Sequence, residues 1–288
     1  MGRLIERYTL DILRLDGAPM AVELGERETD GFLENTMWRH YEALYGILDR
    51  LRSRYPRLLI ENCCGGGGRN DLGMLSRTHW TQLTDEWRPP RTIQIANGMS
   101  MMLPPELGML FFGIGKVEQE ALDTALRILL FGKFALSGLG ISQEHIPDEV
   151  LHKVIHYVNL YKEFVAPLLP TCKAYHHTPI VELDKAPKSD YCVLEYAAQD
   201  ASRAIAGIFK LTDTPEPCHF RPKGLDSRKS YTVTFDSTGQ TLVADGGKLQ
   251  QEGLNIFVER ALLSELLIFE IIEDGGKRCQ SARETEAC

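Results

Sequence analysis

Two periods of apolar spacing divide this chain. In the first part, short apolar runs are separated by stretches with helical spacing. Residues 9–16 form an apolar run stopped by Gly17 and Pro19, which predicts a buried strand. The opening Met1-Gly2-Arg3-Leu4-Ile5-Glu6-Arg7 is charged and reads as a helix feeding that strand. Residues 17–34 are acidic and glycine-bearing and read as a long loop. Tyr41, Leu44, Tyr45, Leu48 and Leu51 then recur on one helical face up to Pro56. Residues 58–62 predict a strand, 70–76 a short helix and 78–83 another strand. Pro89-Pro90 opens a helix to about Met99. Residues 110–112 read as a short strand, 117–131 as a helix and 134–138 as a buried strand. A long helix follows from Ile146-Pro147-Asp148 through Val154, Val158, Tyr161 and Val165 to Pro167. Strand alternating with helix argues for a parallel sheet with crossover helices.

The pattern changes near Pro170. Short β-rich runs, separated by turn residues, fall at 191–196, 204–209, 230–235, 241–243, 256–259 and 266–271. That spacing predicts a small antiparallel sandwich. Residues 273–288 are polar and read as a loose tail. The expected organisation is therefore an α/β region over 1–170, an antiparallel β-domain over 171–272 and the tail.

Charge and composition narrow the partners. A net charge of -8 without a Lys/Arg block disfavours nucleic acid or another polyanion and suits a neutral ligand. No apolar run approaches a membrane span, and the charged start does not read as a signal peptide. Seven cysteines, odd in number and without paired metal spacing, read as reduced thiols of a cytoplasmic protein rather than a zinc site or a disulfide framework. His176-His177 fit β structure better than a metal site, and Met99, Met101 and Met102 read as core filling.

The chemistry concentrates after the second strand, at Glu61-Asn62-Cys63-Cys64-Gly65-Gly66-Gly67-Gly68-Arg69-Asn70-Asp71-Leu72-Gly73-Met74-Leu75. Four glycines at the C-terminal end of a strand let main chain approach a ligand closely, at the place where α/β folds build sites. A phosphate cradle would need a following Lys-Ser/Thr or spaced dinucleotide glycines, and neither is present. Asp16 ends the first strand, with Arg14 on the same side because side chains alternate. A cation there would hold Asp16 ionised, as a nucleophilic carboxylate requires. Asp85 follows the third strand. Each Asp alone reads as a turn or loop acid, but together they supply the two carboxylates of glycoside hydrolysis.

The segment from Leu59 to Leu75 closely resembles the E-S/N-C-x-(S/G)-G-G-G-R-x-D-x-G-M-L signature of melibiase-type α-galactosidases, glycoside hydrolase family thirty-six. Arg14-Leu15-Asp16 stands where that family has K-W/Y-D, and Thr84-Asp85 where it has S-D. Residues 134–141, Leu160-Tyr161-Lys162 and Lys223-Gly224-Leu225-Asp226 also look like family landmarks. The resemblance implies a partial (β/α)8 TIM barrel, about strands four to eight, followed by the β-sandwich. It implies Asp16 as nucleophile, Asp85 as acid/base, and Arg14, Cys63 and Gly66 as contacts to the galactosyl ring. It implies an α-galactoside oligosaccharide as substrate, with no metal or organic cofactor, and a homo-oligomer or a separate N-terminal region as partner. An α-N-acetylgalactosaminidase, a transglycosylating relative and a catalytically silent sugar-binding chain are the alternatives. Arg for the family Lys exchanges a point charge for a planar fork, and Thr84-Asp85-Glu86-Trp87 lacks the common N-T-D continuation.

Overall fold

The computed structural model describes residues 1–17, 26–113, 121–137, 146–179 and 189–272. A helix, Gly2–Tyr8, ends at left-handed Thr9 and leads into strand β1 (Ile12–Leu15). After the hairpin β2 (Glu26–Thr29) and β3 (Phe32–Asn35) come β4 (Leu59–Asn62), β5 (Trp80–Gln82), β6 (Gly108–Gly113) and β7 (Lys133–Ser137). β1, β4, β5, β6 and β7 pair in sequence order, all parallel, as successive staves of a barrel wall. The helices Thr36–Arg54, Arg91–Met99 and Leu122–Arg127 connect them.

The two faces of this sheet differ. On β6, Gly108, Leu110 and Phe112 are buried while Met109, Phe111 and Gly113 are only half-buried. The buried set packs with the helices; the other set lines the open inner face. Leu15, Leu48, Leu51, Leu58, Ile60 and Met74 make one cluster between β1, β4 and helix Thr36–Arg54. The helix forms because its apolar positions recur three and four apart, giving one face to bury.

Three expectations change here. The run at 9–16 is a strand of four residues, and only Leu15 of it is buried, because among the described residues β1 has a neighbour on one side alone. The strand at β7 is half-buried for the same reason. Residues 26–35 of the expected loop form the β2–β3 hairpin. Its Asp30-Gly31 turn has both φ values positive, 54° and 80°, as a tight hairpin requires. Acidic composition hid that turn signal. Residues 18–25, 117–120, 138–141 and the 273–288 tail lie outside the described residues.

Beyond Leu168 the chain forms β8 (Lys173–His176), β9 (Tyr191–Ala197), β10 (Arg203–Lys210), β11 (Cys218–Phe220), β12 (Ser230–Phe235), β13 (Thr241–Asp245), β14 (Leu254–Ile256) and β15 (Ser264–Ile271). Six of these make one antiparallel sheet in the order β13-β12-β15-β10-β9-β8; β11 and β14 make a ribbon. One sheet face packs under the ribbon and helix Gly246–Glu252, burying Val193, Ala206, Phe220, Leu249 and Phe269. The opposite face contributes Leu194, Tyr196, Ile205 and Phe209 to a core shared with the barrel helices, among them Leu126, Leu130 and Val165. The strand expected at 256–259 ends at Ile256. The carbonyls of Val258 and Glu259 instead accept from the buried Lys210 ammonium, at 2.8 and 3.3 Å.

A buried ion cluster pins the two halves. Arg127, on a barrel helix, donates from Nη2 to Asp236 Oδ2 at 2.6 Å and from Nε at 3.0 Å, and also to the Ser264 carbonyl. The Tyr157 hydroxyl donates to Asp236 at 3.0 Å, and His156 Nε2 lies 2.6 Å from its other oxygen. Burial opposes ionisation of Asp236, but the Arg127 charge and hydrogen bonds outweigh it and hold the carboxyl below its ordinary range. Arg127→Ala leaves that buried carboxylate with Tyr157 and His156 but without its guanidinium partner. It is expected to cost about 3–5 kcal/mol in a denaturant titration at pH 7. Because the Asp236 pKa is depressed, the wild-type advantage is present above the unfolded value of about 3.9 and fades as pH falls through the folded value. An advantage that stays constant down to strongly acid pH would contradict this assignment.

Candidate active site

The five parallel strands place their polar residues in register. Arg14 pairs with Glu61 across β1 and β4, and Asn62 with Thr81 across β4 and β5. Two residues beyond Arg14 and Glu61 the strands end at Asp16 and Cys63, and β5 ends at Gln82. Arg14, Asp16, Glu61, Cys63 and Gln82 therefore reach the C-terminal rim on the inner face, and Asn62 and Thr81 lie on the other.

Arg14 is the hub. Its Nη1 donates to Glu61 Oε1 at 2.6 Å, and its Nη2 to Gln82 Oε1 at 2.7 Å, Asp16 Oδ2 at 3.2 Å and Cys63 Sγ at 3.1 Å. Nε adds a contact to Asp16 Oδ2 at 3.3 Å. Gln82 passes the connection on: its Nε2 donates to Asp85 Oδ1 at 2.7 Å. The two expected catalytic carboxylates are thus joined through one guanidinium and one carboxamide, Asp16–Arg14–Gln82–Asp85.

Asp16 is held ionised, though mainly by a different donor from the one its sequence neighbour suggested. The Gly17 amide, at 2.8 Å from Oδ1, lowers its pKa most. The Cys63 thiol and the Gly65 amide follow, with Arg14 behind them. The side chain stays about half exposed, at 49 %, so a ligand can reach it. Cys63, by contrast, is fully buried, and burial raises its thiol pKa. It is neutral at pH 7 and acts as a packed polar contact rather than a thiolate.

The glycine run is shaped around Asp85. Gly66 has φ +70°, and a Cβ there would lie 2.2 Å from the Asp85 amide nitrogen and 2.7 Å from the Thr84 carbonyl carbon. Gly67, at φ +97°, would place a Cβ 2.6 Å from the Leu83 carbonyl oxygen. Only glycine lets the loop lie against the turn that carries Asp85. The loop's exit is tied down as well. Asn62 Nδ2 donates to the Arg69 carbonyl at 3.0 Å, Arg69 Nη2 donates to the Leu15 carbonyl at 3.0 Å, and Asp71 caps the short helix Leu72–Leu75 through Met74 N at 3.0 Å.

The structure therefore gathers all five singled-out residues, Arg14, Asp16, Cys63, Gly66 and Asp85, at one rim. Sequence reasoning missed Glu61 and Gln82. Both are buried polar residues in strands, and a polar side chain in an otherwise apolar strand was the available signal. His177, set aside from metal binding, places Nε2 2.8 Å from buried Glu195 just after β8. Among the described residues no group of three or more His, Cys, Asp or Glu could hold a metal ion.

Comparison with known proteins agrees with this fold. A crystal structure of the α-galactosidase from Lactobacillus brevis superposes with a TM-score of 0.77 at 22% identity, over 96% of this chain and 37% of that one. The family 36 α-galactosidase AgaA of Geobacillus stearothermophilus, crystallised as a variant with raffinose, gives 0.73 at 20% identity over 94% and 38%. The α-galactosidase of Escherichia coli is 29% identical over 209 residues, 70% of this chain and 28% of its own length. These define a glycoside hydrolase fold of barrel plus C-terminal β-domain. The melibiase family model matches residues 1–169, and that of the glycosyl hydrolase family 36 C-terminal domain residues 191–269. The chain belongs to the melibiase family of glycoside hydrolases. It spans roughly a third of the length of these relatives.

The loop packing generates a test. Gly66→Ala is expected to destabilise by more than about 1 kcal/mol, since the backbone is left-handed and the space is taken. It should also shift the Asp85 amide resonance in a 1H–15N spectrum. Gly98→Ala, in the last turn of helix Arg91–Met99 with nothing within 4 Å of the added carbon, should be neutral or stabilising. Equal behaviour of the two variants would remove the steric role given to Gly66.

Proposed function

We propose that this chain carries the catalytic centre of a retaining glycoside hydrolase acting on terminal α-linked galactose of oligosaccharides. The observation that carries the reading is the Asp16–Arg14–Gln82–Asp85 connection. One carboxylate is kept ionised and reachable, and the second is oriented beside it by a carboxamide. Family membership supports the reaction class, and the raffinose bound by AgaA illustrates the substrate type in a relative.

In the proposed double displacement, Asp16 attacks the anomeric carbon as its bond to the leaving oxygen breaks. Asp85 donates its proton to that oxygen, and a β-linked galactosyl ester on Asp16 results. Asp85, now a carboxylate, takes a proton from water; the water oxygen attacks the same carbon and Asp16 leaves with its electron pair. Two inversions retain the α configuration. Arg14 and Gly66 border the space a galactosyl ring would take, Arg14 also fixing the nucleophile, and the buried Cys63, expected as a ring contact, lies behind them. Because donors hold Asp16 ionised, its protonation does not set the acid limb of activity near the ordinary carboxylate range. The described cysteines are free thiols, which supports a reducing, cytoplasmic setting.

A second reading is a chain that binds galactosides without turnover on its own. It is favoured by the open wall: among the described residues β1 and β7 each have one neighbour, and Arg14 and Asp16 side chains are 40 % and 49 % exposed. Hydrolysis of p-nitrophenyl α-galactoside by the chain alone separates the two. Where turnover is found, Asp16→Ala is expected to lower it at least about 10⁴-fold. Asp85→Ala should regain turnover with azide, yielding the α-galactosyl azide, because azide then attacks the β-linked ester. Substantial activity in Asp16→Ala would overturn the nucleophile assignment, and a β-configured azide from Asp85→Ala would overturn the acid/base one.

A further inference from the structure

The antiparallel domain carries a pocket of about 370 Å³, bordered by the chain just after β8, the start of β9 and strand β11. It shares no lining residue with the Asp16–Asp85 centre, and its volume is within the usual range for small-molecule sites, about 300–1,000 Å³. His219, Arg221 and Lys223 line it. They fall two residues apart and are exposed, while their neighbours Cys218, Phe220 and Pro222 are buried. The three therefore share one side of an extended segment. Because buried residues separate them, the sequence shows no basic block. Among the described residues lining the pocket none is Asp or Glu, on a chain whose 40 acidic residues outnumber its 32 basic ones.

Neutral groups hold both cations. Arg221 Nε donates to His219 Nε2 at 3.1 Å, and His219 Nδ1 lies 2.9 Å from Asn255 Oδ1. A ring nitrogen that accepts from a guanidinium carries no proton, so the imidazole is neutral and its Nδ1–H donates to Asn255. Among the described residues no acceptor meets either Nη of Arg221, and the planar end of its fork is left for a ligand. Lys223 Nζ donates to the His176 carbonyl at 3.0 Å and keeps two further N–H donors. Arg88, Arg127 and Arg228, by contrast, are each paired with a carboxylate. Buried Glu195 fixes the segment from the core side. It accepts from the amides of Lys223 and Gly224, at 2.9 and 2.7 Å, and lies 2.8 Å from His177 Nε2, so its oxygens are already taken.

We propose that this pocket binds a small phosphate monoester of sugar size, its phosphoryl oxygens held by the Arg221 fork and the Lys223 ammonium. A guanidinium fork matches two oxygens of a phosphate, and an ammonium adds a point charge for a third. The pocket is larger than one phosphate group needs. The Tyr191 ring, fixed by its hydroxyl donating to the Glu216 carbonyl at 2.8 Å, offers a wall for the ligand's body. The net charge of -8 does not oppose this, because exposed charges beyond about 8 Å are largely screened at physiological ionic strength. The site stands independently of the reaction at the rim.

Calorimetric titration of the full chain with glucose 6-phosphate, inorganic phosphate and glucose tests this. Glucose 6-phosphate is expected to bind, and inorganic phosphate to bind about ten-fold or more weaker. Glucose should show no binding that Arg221→Gln removes. Arg221→Gln should weaken glucose 6-phosphate about ten-fold or more, as the loss of charge-assisted hydrogen bonds does, with an unchanged unfolding curve. Arg228→Gln, which removes another exposed charge of the same domain, should leave the affinity unchanged. Absence of glucose 6-phosphate binding would overturn the site. So would equal weakening by Arg221→Gln and Arg228→Gln, the mark of diffuse attraction. Inorganic phosphate binding as tightly as glucose 6-phosphate would overturn the sugar-sized body.

Discussion

The arrangement at the rim depends on where one guanidinium is placed. Arg14 sits on an edge strand with its stem toward the inner face. Its planar fork contacts Glu61, Gln82, Asp16 and Cys63 across three neighbouring strands. A lysine could reach these groups one or two at a time, but a fork with five donors can hold them together. Among the described residues, the charged partner of buried Glu61 is Arg14. The Arg14 charge, partly exposed, is shared between water and the flanking carboxylates. The result is a preorganised polar network whose donors and acceptors are set before any ligand arrives.

The glycine loop supplies what a side chain cannot. Donors from Gly17 and Gly65 hold Asp16 through its Oδ1, while Gly66 and Gly67 let the same loop lie flush against residues 83–85. One segment thus touches both carboxylates, through the Gly65 amide on one side and bare Cα atoms on the other. This explains why glycines cluster at the end of β4. The need is close approach and left-handed backbone, and a flexible linker would meet neither requirement. The buried Arg127–Asp236 pair gives the wall a fixed base by joining the barrel helices to the antiparallel sheet.

Much of this was legible in the residues. The alternation of strand and helix, the change of character near Pro170 and the signature from Glu61 to Leu75 led to the fold and to all five residues gathered at the rim. What escaped was decided by tertiary position. Edge strands β1 and β7 carry apolar runs like buried ones, and the sequence does not mark which strand lacks a neighbour. Asp30-Gly31 was a readable hairpin turn masked by acidic surroundings. Strand β14 stops where Lys210 captures two carbonyls, a contact spanning 48 residues that no local pattern announces. Gln82 and Glu61 became meaningful only when register brought Arg14 between them.

The central claim is that Asp16 is the nucleophile of this network. Incubating the full chain with 5-fluoro-α-galactosyl fluoride, an activated sugar whose ester hydrolyses slowly, and mapping the adduct by peptide mass spectrometry tests it most directly. The network predicts one galactosyl ester, on the peptide containing Asp16, absent in Asp16→Asn and slowed in Gln82→Ala. An ester on any other carboxylate, or the same labelling in Asp16→Asn, would contradict it.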